Sequence, residues 1–331
     1  MNIEDLITKG YLEIEFEKDF DFVNEIKKIK EEKNAVIMAH FYQEGEIQDI
    51  ADYIGDSLYL AQQAEKTDAD IIVLAGVHFM AETAKILAPE KKVLIPDLNA
   101  GCSLADSCPP ADFAEFKKQY PGYTVISYVN TTAEIKALTD ICCTSTNALE
   151  IVKSLPEDEK IIFAPDRNLG NYIKRLTGRE DMVIWDGACH VHEEFSLEAI
   201  LDLKKEHPEA KLLAHPECEK PVTLVADFVG STSALLKFSQ TDSAETYIIA
   251  TESGILHQMK KTSPSKHFIP APPKDSTCGC NDCNFMKLIN MKKLYTCLKY
   301  ELPEIKMEND LMDKAESSIK RMLDISKKLG L

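Results

Sequence analysis

Residues 185–193 read WDGACHVHE, and they place one cysteine, two histidines and a carboxylate within five positions, Cys189 to Glu193. The stretch follows the β-like run Met182 to Trp185. Thiolate, imidazole and carboxylate groups are the side chains that bind transition metals and transfer protons. The sequence therefore predicts a chemically active loop at the end of a strand, and its meaning depends on whether other parts of the chain repeat it.

The composition is that of a globular protein without a nucleic-acid partner. The 331 residues are 44% hydrophobic and 28% charged, with a net charge of −17, which argues against a phosphate-backbone partner. This length predicts two or three domains. The acidic N-terminus lacks the features of a signal peptide, and no apolar run approaches the ~20 residues of a membrane span. We expect a cytoplasmic protein whose ten cysteines favour metal binding or catalysis over disulfides.

Short apolar strands alternate with helices three times, which is typical of an α/β protein with parallel sheets. After a charged helical lead-in over 1–33, the predicted strands are Ala35 to Ala39, Ile71 to Ala75, Val93 to Ile95, Thr124 to Ser127, Ile161 to Ala164, Met182 to Trp185, Lys211 to Ala214, Tyr247 to Ala250 and His267 to Ile269. Helices are predicted from Ser57 to Glu65, over 79–88, from about Cys283 to Tyr300, and from Glu308 onward. In the last helix, Leu311, Ala315, Ile319, Met322 and Leu323 recur at helical spacing and predict packing on the body.

The three strand–helix repeats have their polar residues at matching positions. His40 to Ser57, Tyr128 to Ser145 and His215 to Thr232 are each 17 positions apart, and successive passes start 88 and 87 residues apart. Ligands gather beyond the carboxyl ends of parallel strands, so the repeat predicts three pseudo-symmetric αβα domains with short parallel sheets around a central site. The predicted segments are 1–112 (lead-in helix and first repeat), 113–195 (second repeat), 196–290 (third repeat) and 291–331 (C-terminal helices).

One cysteine closes each repeat, and these three form the predicted iron–sulfur centre. Cys102, Cys189 and Cys283 follow the repeat starts by 62, 61 and 68 positions, on loops where thiolates are accessible and N–H groups can bond cluster sulfurs. Three thiolates on a 4Fe–4S cluster leave one iron open for Lewis-acid chemistry. The cysteines predicted to be buried apolar residues instead are Cys142, Cys143, Cys218 and Cys297. A zinc site made of Cys278, Cys280, Cys283 and Cys297 is the alternative, although it has one Cys-x-x-Cys-type knuckle where two are usual.

Polar side chains follow the first strand of every repeat. His40 with Tyr42, Tyr128 with Asn130, and His215 with Glu217 lie two positions apart, so the members of each pair project to one side. Histidine supplies acid–base chemistry, Tyr and Asn supply hydrogen bonds, and Glu217 is suited to proton transfer. Further candidates at helix starts, as N-caps or as anion sites, are Ser57, Ser145, Ser231 and Thr232. His190 and His192 flank Cys189, where one of them would support the cluster, and the second helix starts carry His78, Glu82 and Glu252.

Several motifs together closely resemble the quinolinate synthase family. They are AHFYQ at 39–43, GDS at 55–57, NAGCSLADSC at 99–108, SYVNTTAEIKA at 127–137, TSTNA at 144–148, WDGACHVHE at 185–193, HPEC at 215–218, GSTSA at 230–234 and the cysteine cluster before NFMKL. The resemblance covers about residues 35 to 290, and its GCSLAD and CHVHE elements are specific.

The resemblance implies a three-domain pseudo-symmetric α/β enzyme with a 4Fe–4S cluster at its centre. The family condenses iminoaspartate with dihydroxyacetone phosphate, releasing phosphate and water, to give quinolinate, the pyridine precursor of NAD. By motif, the cluster ligands fall on Cys102, Cys189 and Cys283. The implied substrate site consists of His40, Tyr42, Ser57, Tyr128, Asn130, Ser145, His192, His215, Glu217 and Thr232, with His40, Tyr42, His215 and Glu217 as catalytic residues. An L-aspartate oxidase or dehydrogenase is the expected supplier of iminoaspartate.

One motif departs from the family pattern. Members with three clustered cysteines commonly have Cys-x-x-Cys-x-x-Cys, whereas residues 278–283 read CGCNDC. Cys283 is assigned as the ligand because it directly precedes Asn-Phe-Met, with Cys280 as the alternative, and the short spacing argues against a redox role for Cys278 and Cys280. Another iron–sulfur hydro-lyase is an alternative function. A cluster-containing redox sensor is a second, but the composition offers no basic output surface, and a structural zinc protein would not explain the shared phase of the polar residues.

Overall fold

Three parallel four-stranded sheets, one per sequence repeat, form the framework of the protein. The structure, a computed structural model, describes residues 4–275 and 281–331. Within these residues the strands are β1 Ala35–His40, β2 Tyr53–Gly55, β3 Ile71–Ala75 and β4 Lys92–Leu94; β5 Thr124–Tyr128, β6 Ile141–Cys143, β7 Ile161–Ala164 and β8 Val183–Ile184; and β9 Lys211–Ala214, β10 Phe228–Val229, β11 Thr246–Ala250 and β12 His267–Pro270. The prediction of an α/β fold with three short parallel sheets is confirmed.

All three sheets have the same strand order, with the first strand of the repeat between the second and the third. The orders are β2-β1-β3-β4, β6-β5-β7-β8 and β10-β9-β11-β12. The chain therefore leaves the first strand toward one side of the sheet and later crosses to the other side. Such a reversal opens a crevice beyond the carboxyl end of the first strand. His40, Tyr128 and His215 stand at that end of β1, β5 and β9.

The strand register reproduces the phase of the sequence repeat. His40 pairs with Gly55, two residues before Ser57, and Tyr128 pairs with Cys143, two residues before Ser145. In the third sheet Ala214 pairs with Val229, which puts His215 level with Gly230, two residues before Thr232. The 17-residue spacing thus spans the crossover from the first strand of each repeat to the second strand, which pairs beside it in parallel.

An aspartate at the same phase ties each crossover to its sheet. Asp52, Asp140 and Asp227 each accept a hydrogen bond from a backbone N–H 15 positions earlier, in the first strand of the repeat, at 2.7, 2.8 and 2.7 Å. A charge-assisted bond of this kind fixes the entry into the second strand. The three repeats therefore share this side-chain hydrogen bond as well as their strand order.

Helices cover the sheets, and side-chain caps fix many of their starts. For example, Asp21, Asp166 and Ser196 accept the N–H of the third residue beyond them. The helices are α1 Glu4–Lys9, α2 Phe22–Glu32, α3 Gly45–Ile50, α4 Ser57–Lys66, α5 His78–Leu87, α6 Ser103–Asp106, α7 Pro110–Lys118, α8 Ala133–Ala137, α9 Ala148–Ser154, α10 Arg167–Thr177, α11 His190–Glu193, α12 Leu197–Glu206, α13 Lys220–Val225, α14 Thr232–Thr241, α15 Ile255–Thr262, α16 Met291–Tyr300 and α17 Asn309–Leu329, with a 3₁₀ turn at Met286–Leu288.

The central strands are buried on both faces, as parallel strands between helices must be. All five residues of β3 and all four of β7 are buried. Gly170 lets α10 approach its sheet closely, because a Cβ there would meet Ile184 Cγ2 and Phe163 Cδ1 at 2.9 Å. In α17 the apolar stripe predicted from the sequence is buried at Ala315, Ile319, Met322 and Leu323, whereas Leu311 is half-buried.

The structure corrects the sequence-based element boundaries in three places. The sheets contain β2, β6 and β10, which the pattern did not predict because each is only two or three residues long and directly follows an aspartate. The lead-in is two helices, α1 and α2, separated by a stretch without regular secondary structure. The helix expected from about Cys283 begins at Met291, because the Asn290 side chain accepts the Lys293 N–H at 3.0 Å and caps it there.

The chain divides into two compact units. The first comprises residues 1–102 and 284–316, and the second 103–283 and 317–331. The second and third sheets thus belong to one unit, while the division into segments 1–112, 113–195, 196–290 and 291–331 stays a prediction. Among the described residues, no helix combines the length and apolar character needed to span a bilayer.

Candidate active site

Glu217 is the centre of a buried polar group in the second unit. It lies in the turn after β9, which the Cys218 N–H closes by donating to the His215 carbonyl at 3.0 Å. Its side chain is buried with those of Tyr128, His192 and His215. The Tyr128 hydroxyl donates to Glu217 Oε1 at 2.6 Å, so the ends of β5 and β9 meet through a short hydrogen bond. The structure therefore brings together residues that are 89 positions apart in sequence.

Two histidines flank this carboxylate. His192 Nδ1 lies 3.2 Å from Glu217 Oε2, and His215 Nδ1 lies 3.6 Å from Oε1. The two imidazole rings stack, with centroids 4.7 Å apart and planes inclined by 29°. A carboxylate that contacts the Nδ1 atoms of two stacked imidazoles places several proton-binding atoms close together, which is suited to proton transfer.

The remaining contacts of the histidines fix their rings. His215 Nε2 lies 3.2 Å from the Ser145 hydroxyl, and His192 Nε2 lies 3.0 Å from the hydroxyl of Thr251. Helix α11, which carries His192, is anchored because Glu193 accepts hydrogen bonds from Arg167 at 2.6 Å and Asn168 at 2.7 Å. Both rings thus keep one nitrogen toward Glu217 and the other toward a hydroxyl group.

The charges around Glu217 decide its protonation. Burial acts to raise the pKa of Glu217, but the nearby His192 and His215 and the hydrogen bonds from His192 and Tyr128 lower it to about 2. Asp166, which is fully buried, behaves in the opposite way: burial and the negative charge of Glu217 raise its pKa well above the usual range. The site therefore holds Glu217 as an anion over the physiological pH range.

Asn130 presents an unsatisfied acceptor in the same unit. Its Oδ1 atom is buried and has no hydrogen-bond partner among the described residues. A buried carbonyl oxygen without a partner costs free energy, so such atoms in native proteins usually serve a ligand or a water molecule. The hydrogen-bonding role that the sequence suggests for Asn130 stays a prediction.

In the first unit, His40 and Tyr42 lie together at the end of β1. Their ring centroids are 4.4 Å apart at 76°, and the Tyr42 N–H donates to His40 Nδ1 at 3.2 Å. Lys287 Nζ donates to the Tyr42 carbonyl at 2.9 Å and holds the turn after the strand. The register of β1 and β2 brings the start of α4, with Ser57, to the same edge of the sheet.

N-capping does not account for Ser57 and Thr232. Asp56 caps α4 and Ser231 caps α14, each by accepting the N–H three residues ahead, at 3.0 and 3.4 Å. Ser57 and Thr232 are the first residues inside these helices. Ser145 lies two residues before the α9 cap position, Asn147. Ser231 is thus a cap, and N-capping is not the role of the Ser57, Ser145 and Thr232 hydroxyl groups.

The cysteines fall into two groups by burial. Cys102, Cys189 and Cys283 are partly exposed, whereas the other described cysteines are buried: Cys108, Cys142, Cys143, Cys218 and Cys297. Burial raises the thiol pKa of all five, to about 12 for Cys108, and a buried protonated thiol is inert. The prediction that Cys142, Cys143, Cys218 and Cys297 are apolar core residues is confirmed. Cys278 and Cys280 lie outside the described residues.

Cys189 takes part in a potential metal-binding group. Its Sγ, a ring nitrogen of His192 and a carboxylate oxygen of Glu217 all lie within 4.8 Å of one another. His192 Nδ1 is 3.3 Å from the sulfur. His190, the other histidine of the loop, contacts the Ser103 hydroxyl at 2.7 Å through Nδ1, and burial followed by the nearby His192 lowers its pKa. Thiolate, imidazole and carboxylate donors together favour a transition metal cofactor.

Two site residues were missed by sequence reasoning. Thr251 follows β11 and contacts His192, and Asp166 follows β7 near Cys189 and Glu217. Glu252, a candidate from its helix-start position, is fully buried. The repeat phase contained a signal for Asp166, because it and Glu252 both stand two residues beyond the alanine that ends the third strand.

Repeated α/β sheets with a buried Tyr–Glu–His group are typical of an α/β enzyme, and the potential metal ligand beside that group suggests a metal cofactor. The model of the family described as Quinolinate synthetase A protein matches residues 24–324. The quinolinate synthases of Thermosynechococcus vestitus and Synechocystis sp. are each 59% identical over 306 residues, which is 92% of this chain and 96% of theirs. That of Chloroherpeton thalassium is 56% identical over 307 residues, 93% of this chain and 95% of its own. The chain belongs to the quinolinate synthase family, and the prediction that it is an enzyme of this family is confirmed.

Proposed function

We propose that this enzyme condenses iminoaspartate with dihydroxyacetone phosphate, releases phosphate and water, and forms quinolinate for NAD biosynthesis. The observation that carries the proposal is the buried group in which Glu217 contacts Tyr128, His192 and His215. Membership of the quinolinate synthase family supports the same reaction. Formation of a pyridine ring from two acyclic substrates requires repeated proton transfer and loss of water, and this group is suited to both.

Glu217 and His215 serve the later proton transfers. The flanking histidines favour the anionic form of Glu217, so the carboxylate orients the imidazole of His215 and stabilises it when it carries the proton to or from the substrate. Tyr128, which donates to Glu217 at 2.6 Å, holds the carboxylate in place during transfer. His40 and Tyr42 at the end of β1 act on the triose, in isomerisation or proton transfer.

Hydroxyl groups at matching positions bind the anionic parts of the substrates. Ser57 and Thr232 are the first residues of α4 and α14, where backbone N–H groups and the helix dipole favour phosphate or carboxylate. Ser145 contacts His215 and orients that ring toward the substrate. The unsatisfied Oδ1 of Asn130 accepts a substrate N–H or O–H. His192 completes the proposed substrate site.

The residues present fit a 4Fe–4S cluster. Cys102, Cys189 and Cys283 are the proposed ligands, because they are the partly exposed cysteines among the described residues and one closes each repeat. When bound, such a cluster offers one iron without a protein thiolate, which acts as a Lewis acid toward a substrate oxygen. His192, 3.3 Å from the Cys189 sulfur, orients this ligand.

An anaerobic assay tests the reaction. Reconstituted protein is incubated with dihydroxyacetone phosphate and freshly generated iminoaspartate, and quinolinate is detected chromatographically, with Glu217→Gln as the matched inactive control. We expect quinolinate and an equal amount of released phosphate, and no product when dihydroxyacetone replaces its phosphate ester. Equal product from the unphosphorylated triose would instead favour a hydro-lyase of another specificity.

The cluster ligands are tested by substituting the cysteines one at a time. Cys102→Ser, Cys189→Ser and Cys283→Ser are each expected to lower the iron and sulfide content per chain and to abolish activity. Cys142→Ser, in a buried cysteine, is the control and is expected to leave the cluster intact. Full cluster content in Cys189→Ser would contradict the assignment.

The setting of the reaction is part of the same proposal. Iminoaspartate hydrolyses readily, so an L-aspartate oxidase or dehydrogenase would have to supply it at the site of use. A cluster held by three thiolates favours the reducing cytoplasm. Coexpression of such an enzyme with this chain is expected to raise the quinolinate yield above that from free iminoaspartate.

A further inference from the structure

Glu252 is a buried carboxylate that the proposed reaction does not use. It stands two residues beyond Ala250, the end of β11, and is fully buried. Its Oε2 accepts the Gly254 N–H at 2.7 Å, and its Oε1 accepts the Cys283 N–H at 3.1 Å. The Ser253 hydroxyl also donates to Asp282, next to Cys283. One turn after a strand therefore holds the backbone of the cysteine that closes the repeat.

The second repeat has a carboxylate at the same place. Asp166 stands two residues beyond Ala164, the end of β7, and is fully buried. Its Oδ1 accepts the Leu169 N–H at 2.7 Å, whereas its Oδ2 is buried without a hydrogen-bond partner among the described residues. The Cys189 amide is near enough to act on the carboxyl group and lower its pKa. Glu252 thus accepts hydrogen bonds from a helix start and from the amide of its repeat's cysteine. Asp166 accepts one from a helix start and lies near the amide of Cys189.

The first repeat uses a different device. The matching position, two residues beyond Ala75, holds Val77, whose side chain cannot accept a hydrogen bond. Here the His78 N–H donates to the Ala100 carbonyl at 2.7 Å, which ties the end of β3 to the loop before Cys102. The same link between third strand and cysteine loop is therefore made by backbone atoms in one repeat and by carboxylates in the other two.

From this repetition we infer that Glu252 and Asp166 are positioning residues, each of which fixes the backbone of one cluster ligand, Cys283 and Cys189. The inference rests on the proposed cluster. Capping of a helix start explains the bonds to Leu169 and Gly254, but it does not explain why both carboxylates also face the amide of a cysteine. Residues that orient metal ligands typically contribute about 10–100-fold to metal affinity.

The test measures how firmly the cluster is held in the full-length protein. Wild type, Glu252→Ala and Glu252→Gln are reconstituted anaerobically, iron and sulfide per chain are counted, and the rate of iron removal by a chelator is followed. We expect Glu252→Ala to lose its cluster at least about tenfold faster than wild type. Glu252→Gln keeps an acceptor oxygen and is expected to lie between the two. Asp166→Asn is expected to follow the same intermediate pattern.

Asp227→Ala is the matched control, because Asp227 also accepts a backbone N–H in the third sheet, from Leu212 at 2.7 Å, and its other partner is Lys204 at 2.7 Å. We expect its iron-loss rate to stay within about twofold of wild type. The melting temperature of each apoprotein separates cluster retention from general stability. If Glu252→Ala does not fold, Glu252→Gln alone decides.

Three results would overturn the inference. The first is a wild-type rate of iron loss in the Glu252 variants, and the second is equal acceleration in Asp227→Ala. The third is a wild type that binds no cluster, which would overturn the proposed cofactor as well. A wild type that holds the cluster and forms quinolinate while Glu252→Ala keeps its iron equally well would refute the positioning role alone.

Discussion

Replacing Glu217 by Gln should destabilise the folded protein in a pH-dependent manner. The flanking histidines and Tyr128 outweigh burial and lower the pKa of Glu217 from an ordinary 4.5 to about 2. A difference of about 2.5 pH units corresponds to about 3 kcal/mol of folding stability at neutral pH. Glu217 also raises the pKa of the buried Asp166, and Gln relieves that repulsion, so we expect a net loss of about 2 kcal/mol.

The sign of the pH dependence follows from the lowered pKa. A carboxylate with a depressed pKa in the folded state contributes stability above its unfolded pKa, and this contribution is lost as the pH falls toward the folded value. The difference between wild type and Glu217→Gln should therefore be largest near pH 7. It should shrink by about a quarter at pH 4 and by more than half at pH 3.

Calorimetry of the two apoproteins at several pH values measures this difference. For 331 residues the unfolding entropy is about 0.7 kcal/mol/K, so a loss of 2 kcal/mol lowers Tm by about 3 °C. Glu219→Gln is the control: Glu219 is more exposed and pairs with Lys274 at 3.0 Å, so we expect less than about 1 °C. Equal Tm values for wild type and Glu217→Gln at pH 7, or a difference that grows on acidification, would refute the reasoning.

Three further substitutions test the contacts around this carboxylate by steady-state assay of quinolinate formation. Tyr128→Phe removes the hydroxyl that donates to Glu217, and we expect kcat to fall at least about tenfold; an unchanged kcat would contradict a role in proton transfer. Thr251→Val removes the partner of His192 Nε2 and should lower kcat several-fold with little change in KM. Ser145→Ala removes the hydroxyl beside His215 and should raise KM for the anionic substrates more than it lowers kcat, whereas the reverse pattern would assign Ser145 to catalysis alone.

The first and third strands of each repeat could be predicted because runs such as Ile71–Ala75 are long and apolar, and the shorter fourth strands because they lie in apolar runs such as Met182 to Trp185. The second strands β2, β6 and β10 could not, because each directly follows an aspartate, is two or three residues long, and is held in place by pairing with the first strand of its sheet. Asn290 is a residue type that favours a helix N-cap and marks the start of α16, but the apolar pattern led to a predicted start near Cys283.

The candidate site could be predicted at the positions that recur in every repeat. The phase of Tyr128, His215 and Glu217 placed them at parallel strand ends, and the structure joins them there. Thr251 has no such signal, because its contact with His192 arises only when α11 folds beside β11. Asp166 was missed although its phase matches that of Glu252, since a single acid after a strand is common and its burial is set by tertiary packing.

The most direct test of the proposed function is quinolinate formation by a single preparation in three states. The protein is assayed anaerobically with dihydroxyacetone phosphate and iminoaspartate after reconstitution, after iron removal by a chelator, and after a second reconstitution. We predict that quinolinate forms, is lost with the iron, and returns with it. Product that is unaffected by iron removal would contradict the role of the cluster, and no product despite about four irons and four sulfides per chain would contradict the proposed reaction.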